Sequence, residues 1–118
     1  MIGFSEEQLS QFKGARKDAF SERLVDFLTA QFPDALQIER TDLIKNAQYS
    51  IERSEEYSMR NEDEIATFFL TCWVLGLDFD TEFPAATTVL QDPDCPPAEK
   101  ARWLERWVME MLKSLENG

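Results

Sequence analysis

The side chains best equipped for chemistry in this 118-residue chain are carboxylates: Asp78, Asp80 and Glu82 alternate with Leu77, Phe79 and Phe83. Acids so spaced could hold a divalent cation, work as an acid–base pair or steer a basic partner. A calcium loop opening Asp-x-Asp-x-Glu needs Gly at its sixth position and Glu at its twelfth. Phe83 and Val89 stand there, which excludes an EF-hand. A glycosidase-like pair needs a set carboxylate separation and one raised pKa, and spacing alone supplies neither. Steering has more behind it, because residues 61–99 carry nine acidic residues and no Lys or Arg. Clustered like charge raises association rates and selects partners; the plainer alternative is a solvated surface that keeps the protein soluble. Here the acids are interleaved with aromatic residues in what reads as a loop. The expectation is that Asp78, Asp80 and Glu82 point to water and steer, that an exposed ring of Phe79 or Phe83 anchors, and that at least one of those rings ties the loop to the core.

Missing residue types narrow the choice further. The chain has no His, so the usual general base, the Ser-His and Cys-His nucleophile pairs and the commonest zinc ligand are gone. Cys72 falls on an apolar stripe, where a free thiol behaves as a small hydrophobe. Cys95 lies in a Pro-rich turn with no cation close in sequence to favour a thiolate. Two cysteines are too few for a disulfide framework, and spacing leaves open whether they pair. Twelve Lys and Arg against 23 Asp and Glu give a net charge of −11, the opposite of a nucleic-acid or anionic-membrane footprint. These features predict no enzyme, cofactor, metal site or small-molecule substrate, and neither a nucleic-acid nor a membrane partner; a protein partner remains. The start lacks the basic, apolar, small-residue order of a signal peptide, and the longest apolar stretch, residues 65–77, is too short to span a bilayer. A cytoplasmic location is expected.

Helices must position these groups. At 43% apolar and 30% charged, the composition is that of a folded globular chain. A chain of this length buries roughly two thirds of its unfolded surface, so a single helical domain over residues 1–118 is expected. Ser5 and Gln8 form a capping box, with Phe4 and Leu9 as a staple, for a first helix that Pro33 stops. A second opens at Thr41 or Asp42 and fades near Tyr57. Asn61 and Glu64 repeat the cap pairing for a third, whose stripe is Ile65, Phe68, Phe69, Cys72 and Trp73 and whose left-handed C-cap is Gly76, closed by Leu77. Pro84 opens a short helix ending near Asp92, and Pro97 or Ala98 opens the last, striped by Leu104, Val108, Met111 and Leu115. Phe69, Trp73, Leu104 and Val108 are expected to be deeply buried. Trp103 and Trp107, one turn apart, fit either the core and its shoulder or a pair of interface anchors. With no alternating β-branched run and no hairpin signal, the fold class is all-α, a compact bundle of four to five helices.

The order S-E-E-Q-L, F-P at Phe32-Pro33, Y-S-M-R-N-E-D-E-I from Tyr57, L-G-L-D-F-D from Leu75 and V-L-Q-D from Val89 resembles small helical proteins encoded beside type VI secretion effectors and their adaptors in Gram-negative bacteria. In that group a helix ends in L-G-x-x-F-D and a short helix ends in L-x-D; the group's Asp-Pro after F-D appears here as Glu82-Phe83-Pro84. The resemblance implies a co-chaperone or accessory role, in which a secretion adaptor or effector is held or loaded without catalysis. Asp78, Phe79, Asp80, Glu82 and Phe83, together with Trp103 and Trp107, are the expected partner-binding residues. The alternative from the same acidic face is an immunity protein that covers a basic toxin. A small hydrolase using the carboxylates is the weakest of the three readings.

Overall fold

A computed structural model describes the backbone of residues 6–117 and the side chains of residues 19–114. Every regular element in that span is helical: α1 (Glu6–Gln31), a 3-10 turn (Pro33–Gln37), α2 (Arg40–Glu56), α3 (Glu62–Leu75), α4 (Phe79–Glu82), α5 (Pro84–Gln91) and α6 (Pro97–Asn117). Five of the helices are those read from the sequence. The single turn α4 replaces the expected loop. No strand occurs among the described residues. The capping box and staple assigned to residues 4–9 lie outside the described side chains.

The chain divides into two units, Met1–Gln48 and Tyr49–Gly118, with the division inside α2. In the first, Pro33 ends α1 and opens the 3-10 turn, where the Phe32 N–H donates to Leu28 O at 2.7 Å. Arg40 reaches back across the turn to Asp26 Oδ1 at 3.0 Å. Both groups are exposed, so this pair adds little stability. Leu24, Val25, Leu28, Ala35, Leu43 and Ala47 are buried.

In the second unit the helix ends carry the design. Asn61 Oδ1 accepts from the Asp63 N–H at 2.9 Å, and Glu64 Oε1 accepts from the Asn61 N–H at 3.2 Å, completing the expected capping box of α3. At its far end Gly76 takes φ 109°, ψ 155°. That conformation is open essentially to glycine alone, and it is not the left-handed helical cap expected; Leu77 is correspondingly exposed. The cap geometry expected there is found instead at the end of α2. Met59 N–H donates to Ser54 O and Ser58 N–H to Glu55 O, both at 3.0 Å, with Ser58 at φ 65°. This is a Schellman motif with serine in glycine's usual place. Lys100, only 5% exposed, extends from α6 to donate its Nζ to Tyr57 O at 3.2 Å. It thereby puts a cation on the electronegative end of α2.

The core of this unit joins Tyr57, Met59, Phe68, Cys72, Phe79, Ala86, Leu90 and Leu104. Phe69, Leu104 and Val108 are buried as expected. Trp73 is only half-buried, because it sits about 100° around α3 from Cys72, at the edge of the apolar stripe rather than at its centre. Substituting Ser58→Gly should raise stability in urea unfolding by about 1 kcal/mol, the strain of a left-handed side-chain-bearing residue. Gly76→Ala should lower it by about 1–3 kcal/mol. That loss would come from backbone strain alone, because a Cβ there meets no heavy atom within 4 Å.

Candidate functional site

Tyr49 and Arg53 of α2 and Tyr57, the residue that follows its last turn, recur at four-residue spacing on one side of the helix, and all three reach the acids around α4. Tyr49 Oη donates to Asp78 Oδ1 at 2.9 Å. Arg53 forms an ion pair and hydrogen bond with Asp80 Oδ2, and Tyr57 Oη donates to the same oxygen at 2.5 Å. Arg53 also touches exposed Glu56 at 3.2 Å. Asp80 has no solvent exposure. Its backbone carbonyl lies 2.5 Å from the Thr87 hydroxyl, which also sits 3.1 Å from Phe83 O, so α4 is tied to α5 as well. Asp80 Oδ1 and Arg53 Nε are buried without hydrogen-bond partners. The arrangement is therefore an ion pair whose carboxylate is fully buried and whose guanidinium is 25% exposed, incompletely satisfied and strongly directional.

The protonation chemistry follows from burial. Burial, then the hydrogen bond to Asp80 and its negative charge, pushes the Tyr57 phenol well above its ordinary value of 10.0. Tyr57 is thus held as a donor. The Arg53 guanidinium is raised by its bond to Asp80, against the opposing effect of burial. Tyr49 is raised by burial and then by Asp78. Burial pushes the Cys72 thiol up to about 12, although the Ser50 hydroxyl, which donates to Sγ at 3.4 Å, pulls the other way. A thiol so held is neutral at pH 7 and a poor nucleophile. Cys72 and Cys95 are free cysteines.

The expected partner-binding residues separate into two groups. Phe79 and Asp80 are fully buried. Phe79 is the ring that ties this segment to the core, as expected of at least one of the two, and so is no exposed anchor. Asp80 corrects the expectation that all three acids face water, because one helical turn points residues 79 and 80 inward and leaves 78, 81 and 82 outside. Phe79 stacks into the core, 4.9 Å from Phe68 between ring centroids and 6.4 Å from Trp107. Asp78 and Glu82 are exposed, whereas Phe83, Trp103 and Trp107 are half-buried. Those three rings form a ridge: Phe83 meets Trp107 edge-on at 5.3 Å, and Trp107 lies 5.1 Å from Trp103 at 30°. Sequence reasoning passed over Tyr49, Arg53, Tyr57, Thr87 and Lys100; the four-residue spacing of the first three was the available signal.

Among the described residues no group of three or more Cys, Asp or Glu side chains is placed to hold a metal ion, and no helix is long and apolar enough to cross a membrane. No family model, curated protein or solved structure matches this chain.

Removing one partner of a buried ion pair strands the other. Arg53→Met should therefore cost about 3–5 kcal/mol in urea unfolding, and Arg53→Met with Asp80→Leu should recover most of that loss. If the double variant is as unstable as the single one, the pair contributes more than its own compensation.

Alkaline stability has a defined sign. Cys72 titrates near 9.0 when unfolded and about 12 when folded, so above pH 9 the unfolded state binds fewer protons and stability falls as pH rises towards 12. Tyr57 adds to the decline above 10.0, its value before burial. Unfolding free energy measured from pH 7 to 11 should slope downward, and Cys72→Ala should make the slope shallower while lowering stability at pH 7.

Proposed function

We propose that this chain is a non-enzymatic protein-interaction module that serves as a co-chaperone or accessory factor for a type VI secretion effector or adaptor. The observation that carries the interaction reading is the half-buried ridge of Phe83, Trp107 and Trp103, with exposed Glu82 next to Phe83 in sequence. Large rings that combine a packed body with an open edge are the side chains that dominate binding energy at protein interfaces. The secretion context is supported by the motif order from S-E-E-Q-L to V-L-Q-D and by its resemblance to accessory proteins of that system. Burial of Asp80 and the neutral Cys72 thiol fit a surface-acting role, because neither group is presented to a substrate.

The stretch 61–99, which carries nine acidic residues and no Lys or Arg, favours a second reading, an immunity protein that caps a basic toxin. Two assays separate the readings. A co-chaperone changes the abundance or secretion of the effector, whereas an immunity protein rescues a cell that expresses the toxin alone.

Affinity capture from the native host should recover a secretion adaptor or effector. Asp78→Asn with Glu82→Lys should slow association with that protein severalfold at low ionic strength and flatten its salt dependence, with the fold intact because Asn keeps the oxygen that accepts from Tyr49. Asp80 is left unchanged in this test, since reversing it would break the buried pair. Association as fast as that of the parent would reduce these acids to a solvated surface.

A further inference from the structure

The ridge has chemistry more specific than apolar area. Trp103 and Trp107 are tilted by 30° to one another, with Phe83 edge-on against Trp107, and all three rings are half-buried and packed against the core, so what they expose combines π surface with a rigid mounting. Two carboxylates are neighbours of its residues along the chain: Glu82 precedes Phe83 in sequence, and Glu99 lies one helical turn before Trp103 on α6. Both are exposed, and neither forms an ion pair among the described residues. The charge of Asp80, by contrast, is matched internally by Arg53. Two exposed cations of α6 stand close in sequence to these rings, Arg102 next to Trp103 and Arg106 next to Trp107, and an incoming basic segment must bind against their charge.

We infer that the ridge docks an arginine-bearing basic segment of a protein partner, with guanidinium planes laid on the faces of Trp103 and Trp107 and paired to Glu82 and Glu99. The inference rests on the interaction-module reading and names the chemistry of its partner. Arginine fits better than lysine, because a planar, weakly hydrated guanidinium stacks on an indole and bonds a carboxylate through its edge at the same time. Charge complementarity points the same way, since the segment that supplies α4, α5 and the start of α6 carries no positive charge before Lys100, and Lys100 is buried against Tyr57.

The test uses two synthetic peptides of equal charge, nona-arginine and nona-lysine, titrated against the full chain and followed by tryptophan fluorescence. Nona-arginine should bind roughly fivefold or more tightly than nona-lysine. Trp103→Leu should abolish that preference with the far-UV spectrum unchanged. Glu82→Gln with Glu99→Gln should weaken both peptides and flatten their salt dependence, and Arg106→Gln should strengthen both. Equal affinity for the two peptides, or a preference that persists in Trp103→Leu, overturns the inference. Should Trp103→Leu fail to fold, the Glu82 and Glu99 variants decide: unchanged affinity in the double variant also overturns it. Failure here while affinity capture still recovers a partner rejects only the arginine chemistry; success here with no partner captured rejects the secretion role.

Discussion

A carboxylate removed from water must find its compensation within the protein, and Asp80 imposes that demand on the whole of residues 49–118. Burying a charge costs several kcal/mol even after relaxation, so a fold that hides Asp80 must bring a cation and a donor to it. Arg53 and Tyr57 are the groups that arrive. Arg53 stands on the last turns of α2 and Tyr57 directly follows them, which obliges that end of the helix to reach the turn of α4. Thr87 then holds α5 to the same turn through the Asp80 carbonyl. Apolar packing would tolerate several rotations of a four-residue helix, whereas an ion pair shared with a phenol tolerates few. The unpartnered Oδ1 and Nε atoms mean that this directionality is obtained at some expense in stability.

From that buried end an unbroken series of rings runs outward. Tyr57 lies 6.1 Å from Phe68, Phe68 lies 4.9 Å from Phe79, and Phe79 lies 6.4 Å from Trp107, which meets Phe83 and Trp103 at the surface. Packed aromatic rings have few rotamers and little room to move, so the ridge inherits its orientation from the ion pair. An interface built this way loses little conformational entropy when a partner arrives.

The helices were legible in the sequence because their signals are local. Asn61 with Glu64, Pro84 and Pro97 announce helix starts within four residues, and each start lies where those signals put it. The burial of Asp80 was not legible, because it depends on residues more than twenty positions away. The alternation from Leu77 to Phe83 looks like a loop with rings and acids on opposite sides. A single helical turn instead sends adjacent Phe79 and Asp80 inward together, and charge alone argues against such burial until Arg53 is seen. Trp73 shows the same limit in milder form, since a stripe defines a direction and a residue at its edge can fall on either side of it. The ridge was half legible: Trp103 and Trp107 were evident at one-turn spacing, but Phe83 joins them only through the turn that Asp80 anchors.

Trp107 belongs to two neighbourhoods, touching Phe79 in the core and Trp103 and Phe83 at the surface. Under the proposed interaction role, natural variation that retunes partner choice is therefore not equally free across the ridge. A change at Trp107 disturbs the packing that keeps the domain folded, so most such variants would be lost before any new specificity could be selected. Trp103 also leans on the core and Asp78 holds Tyr49, whereas exposed Glu82 and Glu99 form no ion pair among the described residues and carry no such double duty. Divergence among descendants of this protein should concentrate at those positions, with Trp107 held nearly constant, so the chain can change allegiance without first becoming less stable.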